Sequence, residues 1–217
     1  MRSKVIERYK TGLHLTSIQR EVLFGLMLGD GCLETSNNGR TYRLKLEHSI
    51  SQKGYIEHLY NLFKEWVLTE PRTRSFEYNG KNYQHLAFST LSHASFRFYA
   101  HQFYRDGKKA VPKLIHRWLT PVAMAYWFMD DGSMKSRESK GVIFNTQGFS
   151  RADVGRLLVA MKRNFGLEVK ERRQKEGYQI YVSGHSYEKF AEIVLPHLTD
   201  SMKYKLPKAR QTQLPKE

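Results

Sequence analysis

The sequence predicts an α+β fold made of two similar halves, each running helix, two strands, helix, two strands, helix. Three observations predict this fold. A short apolar stretch that ends in an acid and a glycine occurs twice, about half the chain apart. Strand patterns with one apolar face follow each copy, and stretches with helical spacing separate the strands. Such strands form antiparallel sheets whose helices pack on one side.

The repeated stretch reads LFGLMLGDG at residues 23–31 and MAYWFMDDG at residues 124–132, so that Asp30 aligns with Asp131. Each copy is predicted to be a helix with its acid at the C-terminal end. The helix dipole makes that end unfavourable for a carboxylate by about 0.3–1 kcal/mol. Duplication for stability alone is the alternative explanation of a repeat, but an acid that recurs at an unfavourable position favours a functional role.

Signals for a helix start precede both copies. TSIQ has the spacing of a capping box, with Thr16 as the N-cap. LTP supplies Thr120 as an N-cap and Pro121 at the first helical position. Each copy closes on a glycine, Gly31 or Gly132, where we predict a left-handed C-terminal cap.

The elements after the two copies also match. RTYRLKLEHS alternates, with Leu44 and Leu46 on one face, and GVIFNTQ is a shorter strand candidate. Helical patterns follow in GYIEHLYNLFKEWV and RADVGRLLVAMKRNFG. Two more strands in each half turn at residues 79–80 and 176–177. The helices SHASFRFYAHQF and GHSYEKFAEIVL come last, and a lysine near a proline follows each, in KKAVP and YKLP.

These matches define the expected boundaries of the two halves. The halves cover residues 13–112 and 119–209, with a linker at residues 113–118 and tails at residues 1–12 and 210–217.

Composition indicates a folded intracellular protein. Of the 217 residues, 40% are hydrophobic and 13% aromatic, which is enough for a core. The single cysteine, Cys32, excludes an intrachain disulfide and a cysteine zinc cluster. No apolar run reaches the roughly 18 residues of a membrane span, and MRSKVIERYKTG lacks the apolar stretch of a signal peptide. We expect synthesis inside a mitochondrion or chloroplast, or otherwise in a bacterial cytoplasm.

The charge favours nucleic acid as the partner. The formal net charge is +15 and the pI is about 9.8. An anionic membrane, or no particular partner, is the alternative explanation of such a charge. The basic residues are spread along the chain, which indicates a basic face on a folded domain and not a disordered arm.

With two motif copies and matching downstream elements, the chain resembles the LAGLIDADG homing endonucleases. LTPVAMAYWFMDDG, FNTQ and YKLP are most similar to the single-chain, two-motif subgroup typified by the yeast mitochondrial intron endonuclease. The resemblance extends over residues 15–207. It implies two αββαββα halves about a pseudo-twofold axis, with the motif helices side by side at the centre. Two saddle-shaped antiparallel sheets would straddle the DNA.

Small residues on the motif helices are consistent with close packing. Gly25 and Gly29, four residues apart on one face, allow another helix to approach, and Ala125 has the same effect in the second copy. Tyr126 aligns with Gly25, and Asp130 aligns with Gly29. The helices therefore cannot pack simply glycine on glycine.

The resemblance implies a monomeric, metal-dependent endonuclease that cleaves double-stranded DNA at a long asymmetric site. Asp30 and Asp131 would be the metal ligands, and a divalent cation between the two helix ends would relieve their repulsion. The expected metal is Mg²⁺, with Mn²⁺ as a substitute and Ca²⁺ supporting binding without cleavage. Cleavage across the minor groove would leave four-base 3′ overhangs. We interpret Asp130 as an acid that supports the ligands, with a direct metal role as the less favoured alternative.

The resemblance also implies a lysine near each scissile phosphate, where it can polarise water or stabilise charge. The motif assigns these to Lys109 and Lys205, with Lys108 as the alternative to Lys109. Polar residues that end the first strand after each motif, 17 and 16 residues past the two motif acids, would orient metal-bound water. The candidates for that role are Glu47 and Gln147, and more weakly Asn145.

Strand alternation predicts the DNA contacts. Basic and amide side chains recur on one face of several strands, and a two-stranded ribbon fits the major groove, where arginine and glutamine read base edges. Lysines in KSRESK are expected to contact phosphates. The candidates are Arg40, Arg43, Lys45, Arg72, Arg74, Gln84, Lys135, Arg137, Lys140, Lys170, Arg172 and Gln174.

The sequence is also compatible with two other functions. An intron RNA-splicing maturase could share the fold without the nuclease, but it need not keep both aspartates. A non-catalytic DNA-binding regulator would not need paired acids either. The nine histidines show no metal-ligand spacing, and we expect His58, His101 and His197 to be partly buried or on the surface.

Overall fold

The computed structural model describes residues 4–136 and 138–207. Within these ranges the chain forms two four-stranded antiparallel sheets and a small two-stranded ribbon. Helices pack against one face of each sheet, and the predicted α+β architecture of two αββαββα halves is confirmed. No helix in the described ranges is both long enough and apolar enough to cross a membrane.

The first half contains three helices and four strands. In chain order these are α2 (Ser17–Leu28), β1 (Cys32–Glu34), β2 (Arg43–Ser49), α3 (Lys53–Leu62), β3 (Arg72–Tyr78), β4 (Lys81–Ser89) and α4 (Arg97–Phe103). A helix α1 (Lys4–Thr11) precedes them, in the segment that the sequence marks as a tail. A ribbon of β5 (Tyr104–Arg105) and β6 (Lys108–Lys109) follows them.

The second half repeats this order. Its elements are α5 (Pro121–Asp131), β7 (Gly132–Ser136), β8 (Ser139–Phe144), α6 (Arg151–Phe165), β9 (Val169–Gln174), β10 (Gly177–Val182) and α7 (Tyr187–Val194). A 3₁₀ turn at Ile115–Arg117 lies in the predicted linker.

The predicted N-caps of the motif helices are confirmed, but the predicted C-caps are wrong. Thr16 forms a full capping box with α2, and Thr120 caps α5 with Pro121 in the first turn. Gly132 has φ −79°, and Gly31 is not among the glycines with positive φ. These glycines provide space: a Cβ on Gly31 would lie 2.8 Å from a backbone carbonyl of α2, and one on Gly132 would collide with a ring of α5.

The motif helices α2 and α5 pack side by side and are buried over residues 22–28 and 122–129. A Cβ on Gly25 would lie 2.5 Å from the Ala123 carbonyl oxygen and 2.7 Å from the Tyr126 Cβ. A Cβ on Gly29 would collide with the Asp130 carboxylate. The glycines of α2 therefore accommodate the larger residues of α5, and the expectation that the packing is not glycine on glycine is confirmed.

The two sheets have equivalent strand orders, β1-β2-β4-β3 and β7-β8-β10-β9. The residues that follow the two motif glycines occupy equivalent places in the ladders, with Cys32 opposite Lys45 and Ser133 opposite Ile143. Lys45 and Ile143 are therefore equivalent, and counting from them aligns the rest of the two sheets. On β2 the burial alternates as predicted, with the leucines inside and the charged residues on the outer face.

Candidate active site and nucleic-acid interface

A lysine from the end of each half binds the C-terminal end of that half's motif helix. Lys109 Nζ donates to the Gly29 carbonyl oxygen at 2.5 Å. Lys205 Nζ donates to the Asp130 carbonyl oxygen at 2.8 Å and also to that of Met129. A cation at this end opposes the negative pole of the helix dipole. The two lysines therefore compensate the helix ends that carry the motif acids.

Lys109, and not Lys108, is directed at the helix ends. Neighbouring residues of a strand point to opposite sides, and Lys108 on β6 is exposed. Burial lowers the pKa of Lys109 and of Lys205, while the charges of the three aspartates at the helix ends raise both values. Both lysines are therefore held among acids in a partly dehydrated site.

Asp130 is the most buried acid of the cluster. Its Oδ2 accepts a hydrogen bond from the Asp30 backbone N–H at 2.9 Å, and its Oδ1 accepts one from the Tyr55 hydroxyl at 2.8 Å. Burial, followed by the charge of Asp30, raises the pKa of Asp130 well above its ordinary value, although both hydrogen bonds lower it. Asp130 thus links α5 to the backbone of Asp30, which suits an acid that supports a ligand.

Asp131 is half-buried, whereas the Asp30 side chain is 51% exposed. Burial and then the charge of Asp30 raise the pKa of Asp131 to about 7, although Lys109 and Lys205 lower it. The two predicted ligands therefore lie close enough to repel each other. A divalent cation would relieve that repulsion, and carboxylate oxygens are the ligands that Mg²⁺ prefers, so this donor set fits the expected metal.

Sequence reasoning misses His48, which lies on the inner face of β2 and is 4% exposed. Its Nδ1 lies 3.7 Å from Asp30 Oδ2 and its Nε2 lies 3.9 Å from Asp130 Oδ1. Ligand atoms of these three residues lie within 4.8 Å of one another, so His48 is an exception to the expectation that the histidines join no such cluster. The feature of the sequence that indicates His48 is the alternation of β2. It directs His48 inward beside the leucines, where a polar group needs a partner.

Glu47 lies on the outer face of β2 among three basic side chains. Its carboxylate is 3.2 Å from His85 Nδ1, 3.5 Å from Lys45 Nζ and 3.6 Å from an Arg74 guanidinium nitrogen. Burial raises the pKa of Glu47, but the hydrogen bonds from His85 and Lys45 and the charges of Lys45 and Arg74 bring it below its ordinary value. His85 is a second residue that the sequence pattern did not single out.

The register makes Asn145 the counterpart of Glu47. Gln147 lies two residues beyond that position and is partly buried. The backbone N–H of Asn145 donates to the Asp131 carbonyl at 3.0 Å, and its side chain accepts from Gln179 Nε2 at 2.8 Å. Asn145 therefore occupies the place equivalent to Glu47 and contacts the end of the second motif helix through its backbone.

The first sheet presents four predicted DNA contacts on its outer face. Lys45 and Arg43 alternate with the buried leucines of β2, and Arg43 also pairs with Glu34 at 2.8 Å. Arg72 and Arg74 are exposed on β3, on the same face. The prediction for Gln84 is wrong in its geometry: it lies opposite Ser75, on the other face of the sheet. Arg40 is exposed in the loop before β2.

The second sheet presents an equivalent face. Lys170, Arg172 and Gln174 alternate along β9, and the register aligns Arg172 with Arg72 and Gln174 with Arg74. Lys135 and Lys170 lie over the Tyr181 ring, 5.5 and 5.7 Å from its centroid. These cations therefore share one outer face.

Lys140 is not on that face. It lies on the side of β8 that carries the buried Val142, and its Nζ is 2.5 Å from a carboxylate oxygen of Glu188 on α7. Strand alternation therefore directs Lys140 to the helical layer, and its position gives no support to the expected phosphate contact. Arg137, another predicted contact, lies outside the described residues.

Comparisons with known proteins identify relatives of this chain. The model of the LAGLIDADG DNA endonuclease family matches residues 20–190. A probable intron-encoded endonuclease 1 of Wickerhamomyces canadensis is 32% identical over 217 residues, covering 94% of this chain and 90% of that protein. The DNA endonuclease I-ChuI of Chlamydomonas applanata is 30% identical over 210 residues, covering 89% of this chain and 96% of that protein.

A solved structure has the same fold. It is that of the homing endonuclease I-WcaI bound to its DNA recognition sequence, with a TM-score of 0.91, 29% identity, and coverage of 96% of this chain and 95% of that one. The cytochrome b mRNA maturase bI2 of Saccharomyces cerevisiae is also similar, at 31% identity over 85% of this chain and 46% of the maturase. The family match, the two relatives and the paired motif helices together identify the chain as a member of the LAGLIDADG DNA endonuclease family.

Proposed function

We propose that the protein is a site-specific homing endonuclease that hydrolyses both strands of a DNA duplex with a divalent metal and leaves four-base 3′ overhangs. The observation that carries this proposal is the pairing of acids and lysines at two adjacent helix ends. Asp30 and Asp131 repel each other there, and Lys109 and Lys205 close the same helix ends. In a helix pair with only a structural role, acids at that position would be unfavourable because of the helix dipole and would bring no benefit.

Asp30 and Asp131 would hold the metal, with Mg²⁺ or Mn²⁺ active and Ca²⁺ supporting binding alone. When bound, the cation would activate water and stabilise the leaving 3′ oxygen. Asp130 would fix the Asp30 backbone through its hydrogen bond. Glu47 on the first side and Asn145 on the second would orient water, with Gln147 a less favoured candidate because it lies farther along the chain.

Lys109 and Lys205 would stabilise negative charge as the phosphate reacts. Each is anchored to backbone carbonyl oxygens, which fixes its position before substrate binds. Preorganised charges of this kind cost little reorganisation when the transition state forms. Each lysine would serve the strand cut next to its own motif helix.

Double-stranded DNA would bind across both outer sheet faces of a single chain. Arg72 and Arg172 occupy equivalent places on the two sheets, which suits two half-sites of similar layout. The DNA in the I-WcaI structure supports this substrate. We further propose that the halves have the boundaries expected from the sequence, at residues 13–112 and 119–209, and that the protein acts inside an organelle, consistent with the intron-encoded relative.

Selection from a duplex library tests this proposal. The protein is incubated with Mg²⁺, and newly formed DNA ends are sequenced. We expect one long asymmetric site with four-base 3′ overhangs, and none of these ends with Asp131→Asn. Asp30→Asn should also abolish cleavage yet keep DNA affinity in Ca²⁺ close to that of the wild type. Survival of cleavage in Asp30→Asn would disprove the site assignment.

An intron-splicing maturase is the second candidate, favoured by the similarity to the cytochrome b maturase. Tight binding of DNA without any new ends would support it, and RNA containing the host intron would then be the ligand to measure. Retention of both motif acids and both lysines favours the nuclease.

A further inference from the structure

The hairpin of β3 and β4 is longer than its counterpart in the second half. The register aligns the pair Arg74–His85 with the pair Gln174–Gly177, where the β9–β10 hairpin turns. Beyond that level the first hairpin continues through further pairs to Tyr78 opposite Lys81. Four residues per strand at about 3.3 Å each extend it by about 13 Å, the rise of about four base pairs.

Exposed aromatic rings occupy the outer face of this extension. Phe76 and Tyr83 lie opposite each other and stack, with ring centroids 5.7 Å apart and planes 18° apart. They are 43% and 40% exposed, and Tyr78 is 64% exposed. His85 packs its ring edge against Phe76 at 4.8 Å. Contiguous apolar surface of this kind, next to charged residues, marks a binding site.

The surroundings of the rings indicate what covers them. Phe76 lies on the same face as Arg72 and Arg74, which are the preceding outward residues of β3. A duplex held by these arginines in its major groove would continue over the extension. The apolar group that the major groove offers is the 5-methyl of thymine. The Phe76 ring can make no base-edge hydrogen bond, whereas it can make an apolar contact with such a methyl group.

We propose that Phe76 and Tyr83 read thymine methyl groups in the outer part of the half-site bound by the first half. This inference rests on the proposed DNA substrate and adds a specificity determinant to it. Binding to the other half-site does not depend on thymine methyl groups in this way, because the β9–β10 hairpin of the second half turns before it reaches the equivalent position. The two half-sites are therefore unequal in length, and the longer one lies under the first sheet.

Replacing thymine by deoxyuridine removes the methyl group and nothing else. The duplex selected by the wild-type protein is prepared with uracil at one outer thymine at a time, in each half-site, and binding is measured by fluorescence anisotropy in Ca²⁺. At the contacted thymines of the longer half-site we expect Kd to rise about fourfold, the change that corresponds to burial of one methyl group. Uracil in the outer part of the other half-site should leave Kd unchanged.

The double variant Phe76→Ser/Tyr83→Thr removes both rings, so that the loss of the rings can be compared with the loss of the methyl group. It should bind the thymine and uracil duplexes equally, and selection with it should lose base preference only at the outer positions of the longer half-site. Val159→Ser is the matched control, since Val159 is 62% exposed on α6, outside both sheets, and this variant should keep the fourfold discrimination. Thermal unfolding checks that both variants fold.

The outcomes separate this inference from the proposed function. If the wild-type protein cleaves its site but its Kd is unchanged by uracil at every outer position, the proposed aromatic contact alone is overturned. A double variant that still discriminates thymine from uracil overturns it as well. Failure of the wild-type protein to bind any duplex overturns both proposals.

Discussion

Replacing Gly25 by alanine measures how closely the two motif helices approach. The added Cβ would lie 2.5 Å from the Ala123 carbonyl oxygen, 2.7 Å from the Tyr126 Cβ and 3.1 Å from the Trp127 nitrogen. None of these atoms can move away by a change of rotamer. Overpacking costs about 1–3 kcal/mol, and a backbone partner places this case at the upper end. The better helix propensity of alanine offsets about 1 kcal/mol of that cost.

The expected net effect of Gly25→Ala is a loss of about 2 kcal/mol in the free energy of unfolding. For a chain of this size that corresponds to a fall of about 4–8 °C in Tm. Gly155→Ala is the matched control, because Gly155 is also inside a helix, α6, but a Cβ there meets nothing within 4 Å. It should gain about 0.5–1 kcal/mol. Both variants are compared by urea and thermal unfolding, and equal gains in stability would refute the close approach.

Three further substitutions test the lysine site and the acid dependence of stability. Lys109→Met should lower single-turnover cleavage about 10²–10³-fold with little change in DNA affinity, whereas Lys108→Met should cleave like the wild type; equal losses would contradict the assignment. Asp153 lies in the first turn of α6, which Ser150 caps: burial raises its pKa, but hydrogen bonds from Ser150 and Arg156 hold it below its ordinary value of 3.8. A carboxyl whose pKa is lowered by folding stabilises the fold at pH values above its pKa in the unfolded chain. This stabilisation is lost as pH falls through its pKa in the folded protein. Asp153→Asn should therefore cost about 1–2 kcal/mol at pH 7, because it weakens hydrogen bonds to a charged group, and progressively less below about pH 4 in urea unfolding; a cost independent of pH would contradict this.

Features determined by neighbouring residues could be predicted from the sequence. The caps at Thr16 and Thr120 need only the residues of the first helical turn. The inward leucines of β2 follow from alternation alone. The α+β repeat follows because both halves contain the same local patterns in the same order.

Features that depend on distant contacts could not be predicted in this way. Counting residues from the motif acids favours Gln147 as the counterpart of Glu47. The connection between β1 and β2 is longer than that between β7 and β8, so this count is misleading. Only the ladder register identifies Asn145 as the counterpart. The partner of Lys140 is Glu188, which tertiary folding brings to it. Likewise, Asp130 of α5 accepts a hydrogen bond from Tyr55, which lies on α3 of the first half, and no local pattern indicates that contact.

The unequal central helices determine which halves can associate. Tyr126 and Asp130 of α5 fill the space left by Gly25 and Gly29 of α2, so the contact has a knob side and a socket side. Two first halves would meet socket to socket and leave a gap, and two second halves would meet knob to knob with two buried acids opposed. Halves expressed as separate chains should therefore assemble only as a mixed pair. The same rule limits chimaeras with other family members to partners whose motif helix carries the complementary set.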